Sequence, residues 1–335
     1  MKSPITGKEM LLKFELRTLD FRKESFTVAY HFYLCEESDE QFTTTELDEL
    51  NMIQLYNQYR EKHNLPFPDE IKEIRRKYGL PATKMSEILG FGINSYRNYE
   101  GGEVPSLANA RLIQLAGDPV KFRDLVELSE NIEVEYKKKL LKKIELLIEE
   151  QEENLFSLEF QDYLLGDHVS NQFSGYKKPS LDKLTEMVIF FSEKLEPWKT
   201  QLNKLLFYAD FLMFKKTGFS ISGARYRAIN MGPVPNNYNS IFEYMSNKRD
   251  IDIWVTEFPG GAVGEQFKVN KSRKFNTNAF SDIELEVLNT VAAKFKRTAT
   301  SDIIEISHHE KAWKANEKER KIISYKDYGF ELTEL

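Results

Sequence analysis

The sequence predicts a mainly α protein with small β hairpins. It is laid out as an N-terminal ribbon-like β element, a five-helix helix-turn-helix module, a connecting helix and a C-terminal helical domain. Three observations carry this reading. Residues 11–34 alternate apolar and polar side chains with a period of two. Residues 69–128 break into short helical stretches punctuated by Gly. From Leu181 onward the helical stretches become long and apolar. A chain of 335 residues exceeds the usual size of one domain, so more than one core is expected.

The first element, 1–43, is a hairpin: Leu11 to Thr18 and Glu24 to Leu34 flank a polar break. Over 44–63 the period changes to that of a helix, with Leu47, Leu50, Ile53, Leu55, Tyr56 and Tyr59 along one side and Thr44 or Thr45 as its N-cap. Four further helices follow up to Leu115, three of them halted by Gly79, Gly90 and the Gly101-Gly102 pair, and one capped by Ser106. Pro119 opens another that runs to Leu128, closing a helical module at 44–128. Residues 129–180 form a connecting helix and linker. Ile132, Leu140, Leu141, Ile144, Leu147, Ile148 and Leu155 fall at helical spacing, which also suits a dimer element, and the polar run 168–180 with Gly175 and Pro179 reads as the linker. The basic stretch 137–143 and the acidic stretch 149–153 are better read as a solvated helix face than as a binding patch. The domain 181–335 holds helices at 181–195 and 201–216. A Gly/Pro-rich break at 223–235 follows, then a helix from Tyr238, a hairpin at 251–269 and two last helices at 281–296 and 300–315.

Composition narrows the function. With 41% hydrophobic residues, 24 Phe and 16 Tyr, the chain has ample surface to bury and is not disordered. No apolar run reaches the roughly 18–20 residues a membrane span needs, and the N-terminus lacks the apolar stretch of a secretory signal. A cytoplasmic protein without a membrane partner is expected. A single cysteine, Cys35, excludes an internal disulfide, and five His leave few ligands for a transition metal. A net charge of -6 gives no global footprint for nucleic acid, so such binding must come from a local surface.

Residues 82–102 supply one. A short helix, a Gly-bearing turn and a second helix have the spacing of a helix-turn-helix. Ala82, Met85, Ile88 and Leu89 would pack the first helix on the second, freeing Asn94, Ser95, Arg97 and Asn98 for a major groove. Arg reads guanine bidentately and Asn reads adenine, which makes Arg97, Asn94 and Asn98 the base readers. The bland alternative is a helical bundle with no DNA role. With these residues in place, 1–125 resembles MqsA-like antitoxins, in which a zinc ribbon precedes an Xre-class helix-turn-helix. The ribbon of that family begins Cys-Pro-x-Cys-Gly and continues Tyr-x-Cys-x-x-Cys. This chain has Ser3-Pro4-Ile5-Thr6-Gly7 and Tyr33-Leu34-Cys35-Glu36-Glu37-Ser38, so the ligand positions fall on Ser3, Thr6, Cys35 and Ser38. Three of the four thiolates are missing, and hydroxyls are poor zinc ligands at neutral pH. A metal-free ribbon follows, with Cys35 as a leftover buried thiol lacking any sign of a lowered pKa. In the resemblance, the first recognition-helix Asn falls on Asn94 and the later Arg position on Asn98, with Arg97 one residue earlier. Tyr99-Glu100-Gly101 ends the helix, and Glu100 braces the fold.

Leu205-Leu206-Phe207-Tyr208-Ala209-Asp210-Phe211, then Thr217-Gly218-Phe219-Ser220-Ile221-Ser222-Gly223-Ala224-Arg225-Tyr226, then Met231-Gly232-Pro233-Val234-Pro235, resemble the Panacea, or SocA-like, domain over about 181–315. That resemblance implies an antitoxin domain that neutralises a toxin by direct contact. In one branch of the family the domain is instead an adaptor that hands its partner to a protease. Enzymatic readings are weaker. The stretch 218–223 lacks the Lys and Ser/Thr of a phosphate loop, and His308-His309-Glu310 stands alone as a metal set. Asp210, inside an apolar helix, needs a partner such as Arg225 or a backbone donor. Tyr208, Asp210, Arg225, Tyr226 and Tyr238 are the candidate toxin contacts, with core packing as the competing role for each tyrosine.

The expectation is therefore a non-enzymatic, cofactor-free antitoxin of a type II pair. Its partners are a cognate toxin, through the C-terminal domain, and operator DNA, bound as a homodimer that represses its own operon. The alternative is a proteolytic adaptor that delivers a partner to an ATP-dependent protease.

Overall fold

A computed structural model describes residues 1–153, 155–167 and 169–335, and leaves aside the side chains of 152, 153 and 155–158. The side chain of Leu155, read at helical spacing, and the linker start at His168 lie outside the described residues. The chain divides into two compact units, Met1–Glu159 and Phe160–Leu335, and is mainly α with small antiparallel sheets. Among the described residues no helix is long and apolar enough to cross a membrane.

The first unit opens with a three-stranded antiparallel sheet in the order β1 (Leu11–Phe21), β2 (Glu24–Cys35), β3 (Glu40–Phe42). Phe21 and Glu24 close a two-residue turn made by Arg22 and Lys23, both left-handed at φ 49° and 68°. That turn fixes the ladder. Odd residues of β1 exchange hydrogen bonds with even residues of β2, while Leu12, Phe14, Leu16, Thr18 and Asp20 turn their backbone groups outward. On β2 the outward residues are Ser25, Thr27, Ala29, His31 and Tyr33, and the helix α1 (Thr45–His63) serves three of them with side-chain amides. Gln54 donates to the Ala29 carbonyl at 2.8 Å and accepts its N–H at 2.9 Å. Asn51 does the same for His31 at 3.0 and 2.8 Å, and Gln58 donates to the Thr27 carbonyl at 2.8 Å. This corrects the expected apolar side of α1: Asn51, Gln54, Asn57 and Arg60 are buried beside Leu50, Leu55 and Tyr59, because the helix pairs with an open strand edge as well as packing on the sheet. Thr44 caps α1 as expected, its hydroxyl accepting from Leu47 N–H at 3.3 Å.

The helices α2 (Pro68–Tyr78), α3 (Ala82–Ile88), α4 (Ser95–Glu100), α5 (Leu107–Ala116) and α6 (Pro119–Leu128) fall where Gly, Ser and Pro placed them. α7 (Val134–Glu153) buries Leu140 and Ile144 in the same core as Met85, Tyr96, Ile113 and Phe122. Leu140 and Ile144 thus serve the core of the unit. α8 (Leu155–Leu165) runs across the unit boundary.

In the second unit, 169–180 is no loose linker. Ser170, Ser174 and Tyr176 are buried, and the Gln172 carbonyl accepts from Tyr325 N–H at 2.9 Å. α9 (Leu181–Leu195) and α10 (Lys199–Thr217) follow, and α10 is buried without a break from Leu202 to Phe214, making it the axis of the unit. The expected irregular break at 223–235 is a hairpin, β4 (Tyr226–Ile229) and β5 (Gly232–Pro235). Residues 321–323 bond the free side of β4, and Pro233 and Pro235 suit β5 as an edge strand. α11 (Tyr238–Asn247), the hairpin β6 (Ile251–Glu257) and β7 (Val263–Val269), and α12 (Asp282–Phe295) come next. The last expected helix divides at Glu310 into α13 (Thr300–His309) and α14 (Lys311–Lys314), and a short helix α15 (Tyr325–Tyr328) closes the core.

Candidate functional site

In the first unit the exposed residues of 92–98 surround α4. Asn94, Arg97 and Asn98 are exposed and Ser95 half-buried, while Tyr96 and Tyr99 face the core. Met85, Ile88 and Leu89 are buried beneath them and Ala82 packs at the margin. α4 is shorter than the two turns expected, and its position depends on contacts from four directions. Tyr96 N–H donates to Ser86 Oγ at 3.1 Å, and Tyr96 OH to the Ile71 carbonyl at 2.8 Å. Arg75 on α2 grips both oxygens of Glu100 at 2.5 and 3.0 Å, so Glu100 braces the fold as expected. Arg60, buried on α1, donates to the Gly102 carbonyl at 2.6 Å; burial pulls its guanidinium down to about 10. Arg22, at the hairpin turn, donates to the carbonyls of Val104 and Pro105 at 2.7 and 2.9 Å. Arg22, Arg60 and Arg75 were not expected as positioning residues. Their partners lie 25 to 83 residues away in sequence, and no local pattern marks them.

The ribbon positions converge. Thr6 Oγ1 lies 3.3 Å from Cys35 Sγ, and Ser3 Oγ accepts the N–H groups of Ile5 and Thr6 at 3.2 Å. Hydrogen bonding with Ser3, Ser38 and Thr6 outweighs burial and draws the Cys35 thiol down to about 6. Cys35 is buried as expected, but it is not the ordinary thiol the sequence suggested, because chain reversal brings three hydroxyl groups to it. Three hydroxyls and one thiol are a poor donor set for zinc, and among the described residues no group of three or more His, Cys, Asp or Glu could hold a metal ion.

In the second unit Asp210 is the polar centre of α10. Its carboxylate accepts from Ile221 N–H and Ser222 N–H, both at 2.8 Å, from Ser222 Oγ at 2.6 Å and from Tyr226 OH at 2.8 Å. Burial raises its pKa and these bonds oppose the rise. The partner is the backbone of 221–222; Arg225 pairs instead with the Asp167 carboxylate. Tyr208 and Tyr226 are fully buried, and burial raises the pKa of both phenols. Tyr208, Asp210 and Tyr226 are therefore buried inside the unit, where the contact role expected of them is not displayed at the surface. Arg225 and Tyr238 keep part of their surface exposed. The sequence blocks around them are held by close approach. A Cβ on Gly223, at φ 73°, would lie 2.7 Å from the Lys178 carbonyl oxygen. One on Gly232, at φ 93°, would lie 2.5 Å from both Lys204 Cε and Ser307 Oγ. His308 stacks on Trp313 at 3.8 Å, and Glu310 turns inward to accept from Thr333 N–H and Oγ1 at 3.0 and 3.1 Å, so these residues do not form a ligand set.

Apolar surface that sequence reading missed gathers on the second hairpin. Trp254, Val255, Phe258 and Val263 are exposed, beside a cavity of about 330 Å³ lined by Trp198, Phe258, Val263 and Gly264.

Residues 202–314, about a third of the chain, match the family model described as antitoxin SocA-like, Panacea domain. The match contains all of α10 from Leu202 onward, both hairpins and α13, and suggests a toxin–antitoxin-related role for the second unit. No curated protein matches the chain.

Proposed function

We propose that this chain is the antitoxin of a type II toxin–antitoxin pair, its second unit binding a cognate toxin and its first unit repressing the operon as a homodimer on operator DNA. The match over 202–314 carries the reading. The DNA half is supported by the side chains that α4 leaves open: Arg97 offers a guanidinium fork and Asn94 and Asn98 offer amides, the groups that read base edges. Groove entry needs a helix fixed to its scaffold, and Arg22, Arg60 and Arg75 fix this one. On the toxin side, the buried Tyr208, Asp210 and Tyr226 hold the domain together, and contact falls to accessible residues. Arg225, Tyr238 and the apolar tip of β6 and β7 are accessible, and an exposed aromatic patch is the surface a protein partner covers.

Co-expression of the full chain with the product of the adjacent reading frame tests both halves. Rescue of growth and co-purification are expected for the wild type. Arg97→Ala should abolish operator shift and leave rescue intact, while Trp254→Ala combined with Val255→Asp should do the reverse. Rescue that vanishes in protease-null cells would replace the antitoxin reading with the adaptor.

A further inference from the structure

We propose that the homodimer forms through the outer edge of β1, paired antiparallel with itself across a two-fold axis at Phe14. This rests on the reading above for the existence of a dimer and assigns its interface. Among the described residues nothing pairs with that edge, although α1 amides cover the corresponding edge of β2. One face of the exposed edge is apolar: Leu12 is 56% exposed, Phe14 39% and Leu16 74%, and all three point to the sheet face opposite α1, while Lys13 and Glu15 lie on the other.

The sequence of the strand selects the register. Leu12, Phe14 and Leu16 are the residues whose backbone N–H and C=O groups turn outward, so a partner strand must pair even residues with even residues. An axis at Lys13 sets Lys13 against its own copy, and an axis at Glu15 does so for Glu15. An axis at Leu16 opposes Leu12 to Asp20. An axis at Phe14 pairs Leu12 with Leu16 and Phe14 with Phe14 on one face, and sets each Lys13 opposite a Glu15 on the other. All four axes satisfy the backbone, and among them the axis at Phe14 is the one that makes both faces complementary, as an isologous two-fold contact requires. Leu11 to Arg17 of each copy take part, and the two sheets join into one.

Charge reversal tests this on the full chain without DNA, by sedimentation equilibrium. Lys13→Glu places Glu opposite Glu twice per dimer, and Glu15→Lys places Lys opposite Lys. Each alone should raise the dimer dissociation constant about tenfold or more. An equimolar mixture of the two variants should recover the wild-type constant, because every carboxylate then faces an ammonium across the axis, and so should the double variant with both changes. A wild-type chain that stays monomeric overturns the proposal, and so does a dimer that neither single change weakens. In the second case operator shift by the wild type, and its loss in Arg97→Ala, would show the repressor reading standing while the β1 interface falls.

Discussion

Two buried titratable groups show how single residues shape this protein. Lys204 lies inside α10 with its ammonium donating to the Pro233 carbonyl at 3.2 Å, and burial pulls its pKa from 10.5 down to about 7. The unfolded chain keeps that proton up to its ordinary range, so between about 7 and 10.5 the unfolded state binds more protons and stability rises with pH; below about 7 the full cost of the buried charge stands. Lys204→Met removes that cost while filling the same space. It should raise the unfolding free energy by about 1–2 kcal/mol at pH 7, with the gain fading by pH 10, as read from urea melts at the two values. Cys35 runs the other way. Its folded value of about 6 lies below the 9.0 of a free thiol, so its contribution to stability is complete above about pH 9 and lost as the pH falls through about 6. Thiolate absorbance at 240 nm should titrate with a midpoint near 6 in the wild type and move upward in Ser3→Ala.

At the scale of elements, the β1–β2 turn couples a strained backbone to the placement of α4. Arg22 and Lys23 both sit in the left-handed region, where a residue with a Cβ is disfavoured and Gly or Asn is usual. Lys23 returns nothing for that strain, whereas the Arg22 guanidinium holds Val104 and Pro105. Lys23→Gly should therefore stabilise the protein by about 0.5–1 kcal/mol. Arg22→Gly, which relieves the same strain, should destabilise it by about 1–2 kcal/mol through two lost charge-assisted bonds, and thermal melts followed by circular dichroism distinguish the two. The same turn shows what sequence makes legible. Alternation over 11–34 and the Gly, Ser and Pro signals of 64–128 are local, and they located β1, β2 and α2 to α6 within a few residues, while β3 carried no such signal. The amides of Asn51 and Gln54 and the three bracing arginines act across 20 to 83 residues, beyond the reach of any local pattern. The β4–β5 hairpin was hidden for a related reason. Pro233 and Pro235 suggest irregular chain until the neighbours that satisfy β4 are known. For Tyr208 and Tyr226 the sequence left contact and core packing open, because the burial that decides between them comes from elements far along the chain.

Over the whole molecule, each compact unit holds its own core: Ile71, Tyr96 and Phe122 among others in the first, the α10 side chains in the second. All three tryptophans, Trp198, Trp254 and Trp313, lie in the second unit, so tryptophan emission reports that unit alone while far-ultraviolet circular dichroism reports both. Asp210→Ala strands the N–H groups of Ile221 and Ser222 and the hydroxyl of Tyr226 in a fully buried site, which costs about 3–5 kcal/mol. Arg60→Ala leaves the Gly102 carbonyl unserved in the first unit, at about 1–3 kcal/mol. Asp210→Ala should lower the urea midpoint seen by tryptophan emission and spare part of the circular dichroism transition, and it should abolish toxin rescue while operator binding persists. Arg60→Ala should leave the emission midpoint where it is, move the remainder of the circular dichroism change, and weaken operator binding because α4 loses one of its braces. Emission and circular dichroism shifting together in both variants would mean that the units unfold as one, and that separate neutralising and repressing roles cannot be assigned to them by core substitutions.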